Sequence, residues 1–285
     1  MPLFFSTFAS HFQQLNVMAK KIDMVVDIGN TYTKLAFFRD KELEALWTDK
    51  EIKEADFRCL IEAHNPVACI ISSVRGDQAS IPARRFASRP DKVTKAELPN
   101  DLKFLADYKF PILFAGAHLP IPLIIRYKTP ETLGGDRLAA AIAAMDRLPG
   151  QHIMVINLGT CLTTDFINNN NEYLGGTISP GLHMRLKAMH EFTGQLPLVT
   201  KIPREIEIVG TTTEESMLSG TVNGMIAEIE GLIKMRQKEI SFFNVIISGG
   251  DAKFFAKKIK SRIFAIENIV LHGLNLMLKH NAKHL

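Results

Sequence analysis

A chain of 285 residues, 46% hydrophobic and 22% charged, can bury one large core or two ordinary ones and has the make-up of a soluble globular protein. Its 34 basic and 30 acidic residues are mixed along the whole sequence and leave a formal net charge of +4. No nucleic-acid or membrane partner is expected, since either calls for basic residues gathered on one face. Cys59, Cys69 and Cys161 lack a C-x-x-C spacing and fit a reducing, cytoplasmic setting.

The first 17 residues are apolar but broken by Ser, His and Gln and carry no Lys or Arg, so they do not read as a secretory signal. Met18 starts a segment that runs straight into a strand, and residues 1–17 are expected to be a non-native or disordered extension. Met24 to Thr31 (MVVDIGNT) reads as a strand ending in a Gly-containing turn, and Lys34 to Phe38 as the return strand of a hairpin. Ala68 to Val74 reads as a buried strand, and Phe110 to Ile125, cut by Pro and Gly, as a loop-rich packed segment. Leu138 to Leu148 is an alanine-rich helix opened by Gly134-Gly135-Asp136-Arg137. Ile153 to Thr160 (IMVINLGT) repeats the first hairpin, with Leu162 to Ile167 as its return and a third strand near Tyr173. A long amphipathic helix is expected from Glu214 to about Gln237, a strand at Asn244 to Ser248 ending in Gly249-Gly250, and a last helix at Ile269 to Leu278. The tail from Lys279 reads as frayed. One strand–turn–strand unit used twice predicts two domains of similar build, 18–133 and 134–285, each with a mixed sheet flanked by helices.

The chemistry gathers at the turns. In Asp27-Ile28-Gly29-Asn30-Thr31-Tyr32-Thr33-Lys34, a glycine turn can bring backbone N–H groups to a phosphate. The strand-end carboxylate can hold a metal ion or orient water, Thr31 can donate to phosphate oxygens, and Lys34 can neutralise charge. This is neither a Walker A loop nor a Rossmann fingerprint. A plain hairpin would look the same, but Asn157-Leu158-Gly159-Thr160 is a second such turn and Ser248-Gly249-Gly250 a third. By spacing alone, Asp136 and Arg137 fit a helix start with Asp at the positive dipole end.

Three strand-to-glycine turns in this order resemble the actin, sugar-kinase and heat-shock-70 superfamily. Tyr127, the run Thr132-Leu-Gly-Gly-Asp-Arg137, the run Gly175-Gly-Thr-Ile-Ser-Pro-Gly181 and the run Gly210 to Gly220 narrow the resemblance to type III pantothenate kinase, over nearly the whole chain beyond the leader. The resemblance implies an α/β fold of two actin-like (ribonuclease H-like) domains with an ATP cleft between them. It implies transfer of a phosphoryl group from ATP to pantothenate, giving 4′-phosphopantothenate. Asp136 then matches the general base. Gly134, Gly135 and Arg137 match substrate-holding positions, the guanidinium forking onto the pantothenate carboxylate. Tyr127 lines the pocket, and Thr213 reaches in from the partner subunit of a homodimer. Residues 27–34 and Thr160 match the ATP site. The implied cofactors are ATP, Mg2+ and a monovalent cation, K+ or NH4+, the last held by an Asp in the family where this chain has Asn157. A neutral amide predicts weaker cation dependence. The alternatives are a family member that binds without turnover as a regulatory or accessory protein, or a kinase for another hydroxylated metabolite.

Overall fold

The computed structural model describes residues 21–51, 53–75 and 97–282; the leader expectation for residues 1–17 falls outside them. Strands β1 (Ile22–Ile28), β2 (Thr33–Arg39) and β3 (Glu42–Asp49) form an antiparallel meander. Helix α1 (Glu54–His64) then leads to β4 (Ala68–Ser73), parallel to β1, and β5 (Ile112–Phe114) adds beside β4. The first sheet therefore runs β3-β2-β1-β4-β5. Its central strands are apolar on both faces, as a doubly covered parallel pair requires. By contrast β3 alternates exposed and half-buried residues and carries Glu42, Glu44 and Asp49, charges that guard an open edge.

The second half repeats the plan. After β6 (Ile124–Ile125) and helix α2 (Gly135–Arg147) come β7 (Ile153–Leu158), β8 (Cys161–Ile167) and β9 (Glu172–Pro180), again antiparallel. Helices α3 (Leu182–Glu191) and α4 (Thr213–Glu239) precede β10 (Asn244–Ser248), parallel to β7. Helix α5 (Ala252–Ala256), β11 (Phe264–Ala265) and helix α6 (Ile269–Asn281) complete the chain. The second sheet runs β11-β10-β7-β8-β9-β6, so β9-β8-β7-β10-β11 reproduces the strand order of the first. The expected fold class, a mixed sheet in each half, is the one observed.

Three apolar clusters set the layers. Val25, Ala36 and Ile70 of the first sheet and Val155 and Ile167 of the second share one cluster with α2 and α6, which lie between the sheets. Met24, Val26 and Ile71 face outward onto α1 and the 3₁₀ turn at Asn100–Asp107. Met154, Ile156 and Ile247 face outward onto α3, α4 and α5. The helices of the middle layer are crossed over: α2 packs on β7 and β8, and the C-terminal α6 on β1 and β4. A helix between two sheets and a second helix must be thin, which explains six consecutive buried residues from Ala139 to Ala144, five of them alanine. The α2–α6 crossing is tighter still, because a Cβ on Gly273 would lie 1.8 Å from the Ala139 carbonyl oxygen. Gly273→Ala should cost about 1–3 kcal/mol despite alanine's better helix propensity, read as a lower urea midpoint.

Two expectations are corrected. The tail is not frayed at Lys279, since α6 runs to Asn281, whose amide donates to the Pro120 carbonyl at 2.9 Å. The third strand expected near Tyr173 is β9, which continues through Gly175 and Gly176 to Pro180. Phe110 to Ile125 is loop-rich, but it also supplies the short strands β5 and β6.

Candidate active site

Side chains alternate along a strand. Because Val25 faces the middle layer, so does Asp27, and its cross-strand neighbours Lys34 on β2 and Ser72 on β4 face the same way. On the second sheet the equivalent places belong to Asn157, Thr163 and Ser248, which are paired in register. Both sets lie where their strands run out of the apolar layer, and there the two sheets open toward each other.

The two glycine turns meet across this opening. Gly29 N–H donates to the Tyr32 carbonyl at 2.9 Å and Gly159 N–H to the Cys161 carbonyl at 3.0 Å, closing each hairpin. At their tips the Thr31 and Thr160 hydroxyls are hydrogen-bonded at 3.0 Å. Two residues 129 apart in sequence thus place two hydroxyls side by side. The turns are braced from behind. Arg75 donates from Nε to the Gly29 carbonyl at 3.2 Å and from Nη2 to the Thr33 hydroxyl at 3.3 Å. Gly181 N–H donates to the Thr160 carbonyl at 3.0 Å, and a Cβ on Gly181 would lie 2.2 Å from the Gly159 oxygen, so only glycine admits that approach. Gly249, at φ +103°, fits against the Leu158 backbone in the same manner, which seats the third glycine turn against the second.

Among residues 27–34, Ile28 is buried in the outer cluster and Thr33 is fully buried, so these two offer the opening only backbone. Asn30 and Thr31 are exposed at the tip and Tyr32 stands out beside them. Lys34 extends its ammonium to the Asn268 side-chain oxygen at 3.1 Å. Asn268 is in the left-handed conformation at the start of α6, so the first hairpin is tied to the chain's last helix.

Helix α2 delivers the other carboxylate. Its start is two glycines: a Cβ on Gly135 would meet the Ala115 oxygen at 2.6 Å, and one on Gly134 would lie 2.4 Å from Asp136 Oδ1. The Asp136 carboxylate accepts the Arg137 N–H at 2.9 Å. Burial pushes the Asp136 carboxyl above its ordinary range, against the pull of the Arg137 N–H and guanidinium. Asp27 is raised to about 7, first by burial and then by the Asp136 carboxylate, with Lys34 and Ser72 opposing. Asp27, near the end of β1, is therefore within electrostatic reach of Asp136 on the first turn of α2.

The Arg137 side chain turns away from the opening. It is buried, donates from Nε to Asp165 Oδ1 at 2.8 Å, and is capped by Tyr173, whose hydroxyl donates to the same oxygen at 2.5 Å. Tyr127 packs edge-on to Tyr173 and lies along Gly175, so it joins this group. Thr213 is exposed at the first turn of α4, beyond the Thr212 capping box. Asn157 is half-buried, and the hydroxyl of its register partner Thr163 is buried without a hydrogen-bond partner. Sequence reading missed Arg75, Asn268, Ser72, Thr163 and the pairing of Asp165 with Arg137. A charged residue on a strand as apolar as β8 was a usable signal for Asp165; nothing local marked Asn268.

The family model described as type III pantothenate kinase matches residues 23–235. A type III pantothenate kinase from Cytophaga hutchinsonii is 38% identical over 260 residues, covering 91% of this chain and 100% of that protein. One from Bacteroides fragilis is 35% identical, covering 91% and 98%. Among solved structures, a conserved putative Baf family transcriptional activator from Campylobacter jejuni has a TM-score of 0.51 at 17% identity, covering 91% of this chain and 99% of its own. A putative N-acetylmannosamine kinase from Listeria monocytogenes has a TM-score of 0.50 at 14% identity, covering 92% and 99%. These two likenesses speak for the fold. With three-quarters of its length matched by one family model and relatives above 30% identity along nine-tenths of it, the chain belongs to the type III pantothenate kinase family.

Proposed function

We propose that this protein phosphorylates pantothenate with ATP, giving 4′-phosphopantothenate and ADP at the start of coenzyme A synthesis, with Asp136 as general base. The observation that carries the reading is the meeting of the Thr31 and Thr160 hydroxyls, supported by the electrostatic coupling of Asp27 to Asp136. Paired hydroxyls and turn amides suit the β- and γ-phosphates. Asp136, on the opposite wall, takes the proton from the pantothenate primary hydroxyl as its oxygen bonds to the γ-phosphorus and the bond to ADP breaks. A raised carboxyl pKa brings that base closer to working pH. Gly135 lets the start of α2 pack against the Ala115 carbonyl, and Tyr127, packed on Tyr173 and Gly175, is assigned to the pantothenate pocket. A coupled ADP-release assay tests the reading, with pantothenate compared against a panel of hydroxylated acids and sugars. ADP release that does not depend on pantothenate would overturn it.

The donor set fits magnesium arriving on the nucleotide: Asp27 offers hard carboxylate oxygens, and a divalent cation would relieve the repulsion between Asp27 and Asp136. Bound Mg2+ supplies charge neutralisation on the phosphates. For a monovalent cation, the Asn157 amide oxygen and the unpartnered Thr163 hydroxyl are suitable neutral donors. Lacking a full charge, they should hold it weakly. Activity of the wild type is therefore expected to change little between potassium-free and potassium-rich buffer, whereas Asn157→Asp should become roughly tenfold potassium-dependent. Strong potassium dependence in the wild type would contradict this.

The working unit is read as a homodimer in the cytoplasm, built from domains 18–133 and 134–285 that exchange β6 and α6. Phe192, Ile208 and Val209 are 87%, 83% and 76% exposed, and the last two lead directly to the α4 turn that carries Thr213. A partner covering them would bring Thr213 to a neighbouring substrate site. Ile208→Asp should yield monomers by light scattering and raise the pantothenate KM; an unchanged dimer mass would refute this surface.

A further inference from the structure

We propose that Asp165 and Tyr173 are positioning residues for phosphoryl transfer, forming a buried socket that grips the Arg137 guanidinium and so fixes the first turn of α2, with Asp136 on it. The proposal rests on Asp136 being the base.

The problem this socket solves is local. Helix α2 has Gly134 as its N-cap and no side-chain cap, and the two glycines at its start offer no side chain to hold the turn. Yet that turn carries the group whose placement matters most. Arg137, its neighbour, reaches back into the second sheet. Its Nη2 lies 2.7 Å from Asp165 Oδ1 and donates to the Thr164 carbonyl at 3.3 Å, in addition to the Nε bond. Arg137 is 8% exposed, Asp165 1% and Tyr173 not at all, so all three are withdrawn from water.

The strand beside them is shaped for this. A Cβ on Gly176 would lie 1.6 Å from the Thr164 oxygen and 3.0 Å from Arg137 Nη2, so a side chain there would push into both partners. Tyr173 lies on the same strand and donates to the same Asp165 oxygen, Oδ1. Stability alone is a poor reason for such an arrangement, since a buried ion pair often holds a fold no better than apolar residues of similar size. Geometry is a better one: the pair ties the base-bearing turn to β8 and β9 through directional bonds. Nε and Nη2 of Arg137 are the donors held in the socket, and through them the guanidinium anchors the turn.

The test uses two variants in the full-length protein, with Asp136→Asn alongside. Tyr173→Phe removes one hydrogen bond at nearly constant volume. It should lower kcat roughly tenfold, with the KM values for ATP and pantothenate each within twofold, as expected for a slightly displaced base. The combined Arg137→Met, Asp165→Leu, Tyr173→Phe variant replaces the socket with apolar packing. It should melt near the wild type and still show a kcat at least as low as Tyr173→Phe. Full kcat in the combined variant would show the socket to be structural only, and a raised pantothenate KM with unchanged kcat would make Arg137 a substrate contact; either overturns the proposal. Activity retained by Asp136→Asn would instead defeat the assignment of the base.

Discussion

Asp136→Asn should lower kcat by roughly a hundredfold to ten-thousandfold, the range for loss of a positioned general base, and leave the ATP KM nearly unchanged. The amide is nearly the same size as the carboxylate, and its oxygen can still accept the Arg137 N–H now found at 2.9 Å, so α2 should start as before. What is lost is the proton acceptor that the proposed function assigns to Asp136. The pH profile gives a second reading. The base works when ionised, and burial lifts its carboxyl above the usual range. Wild-type kcat should therefore fall on the acid side at a higher pH than an exposed aspartate would give. Single-turnover measurement of phosphorylated product across pH checks both points, and an Asp136→Asn variant with near wild-type kcat would remove Asp136 from the mechanism.

Asp27→Asn should move stability and activity in opposite directions. In the folded, ligand-free protein Asp27 is raised to about 7 by burial and by Asp136, from an ordinary 3.8. The folded state thus binds the proton more tightly than the unfolded chain. Between those two values stability falls as pH rises, and above about 7 the whole penalty is present. A shift of about three units has a ceiling of roughly 4 kcal/mol, and contact with the open gap screens it to about 1–2 kcal/mol. Asn removes the charge, so the variant should be more stable than wild type by that amount at pH 8, with the gain shrinking toward pH 4. Under the proposed function, phosphoryl transfer should fall on the order of a hundredfold, because the charge assigned to the phosphates and their magnesium is gone. Urea midpoints at both pH values, together with kcat, decide it. A variant that is less stable at pH 8 would mean that Asp27 is held ionised by partners stronger than Lys34 and Ser72.

Much of the fold was legible because its central strands are covered on both faces. Runs such as Met24-Val-Val and Val245-Ile-Ile stand out for that reason, and the glycine turns that follow them mark where each strand stops. The edge strand β3 was not legible, since its polar–apolar alternation breaks at Ala45-Leu46-Trp47 and none of its residues is fully buried. Helix α3 was hidden by the Gly-Pro run before it, which looks like a turn until Gly176 and Gly181 are seen pressed against Thr164 and Thr160. At the site, the hairpin residues were readable as a motif. The roles within them were not: Thr33 faces inward to Arg75, and Lys34 reaches Asn268, 234 residues away.

By itself the sequence determined the repeated hairpin, the alanine-rich helix opened by Gly-Gly-Asp-Arg, and the resemblance to one kinase family. These are local patterns, set by side-chain period and turn chemistry over a few residues. Only the tertiary structure decided that Thr31 meets Thr160, that Asp27 feels Asp136, and that Arg137 is gripped by Asp165 and Tyr173. Each joins residues from different strands and helices, and burial, not composition, makes their charges and hydrogen bonds matter. The Asp-Arg pair shows the difference most plainly: adjacent in sequence, the two act on different partners, Asp136 on the charge of Asp27 and Arg137 on Asp165 in the second sheet.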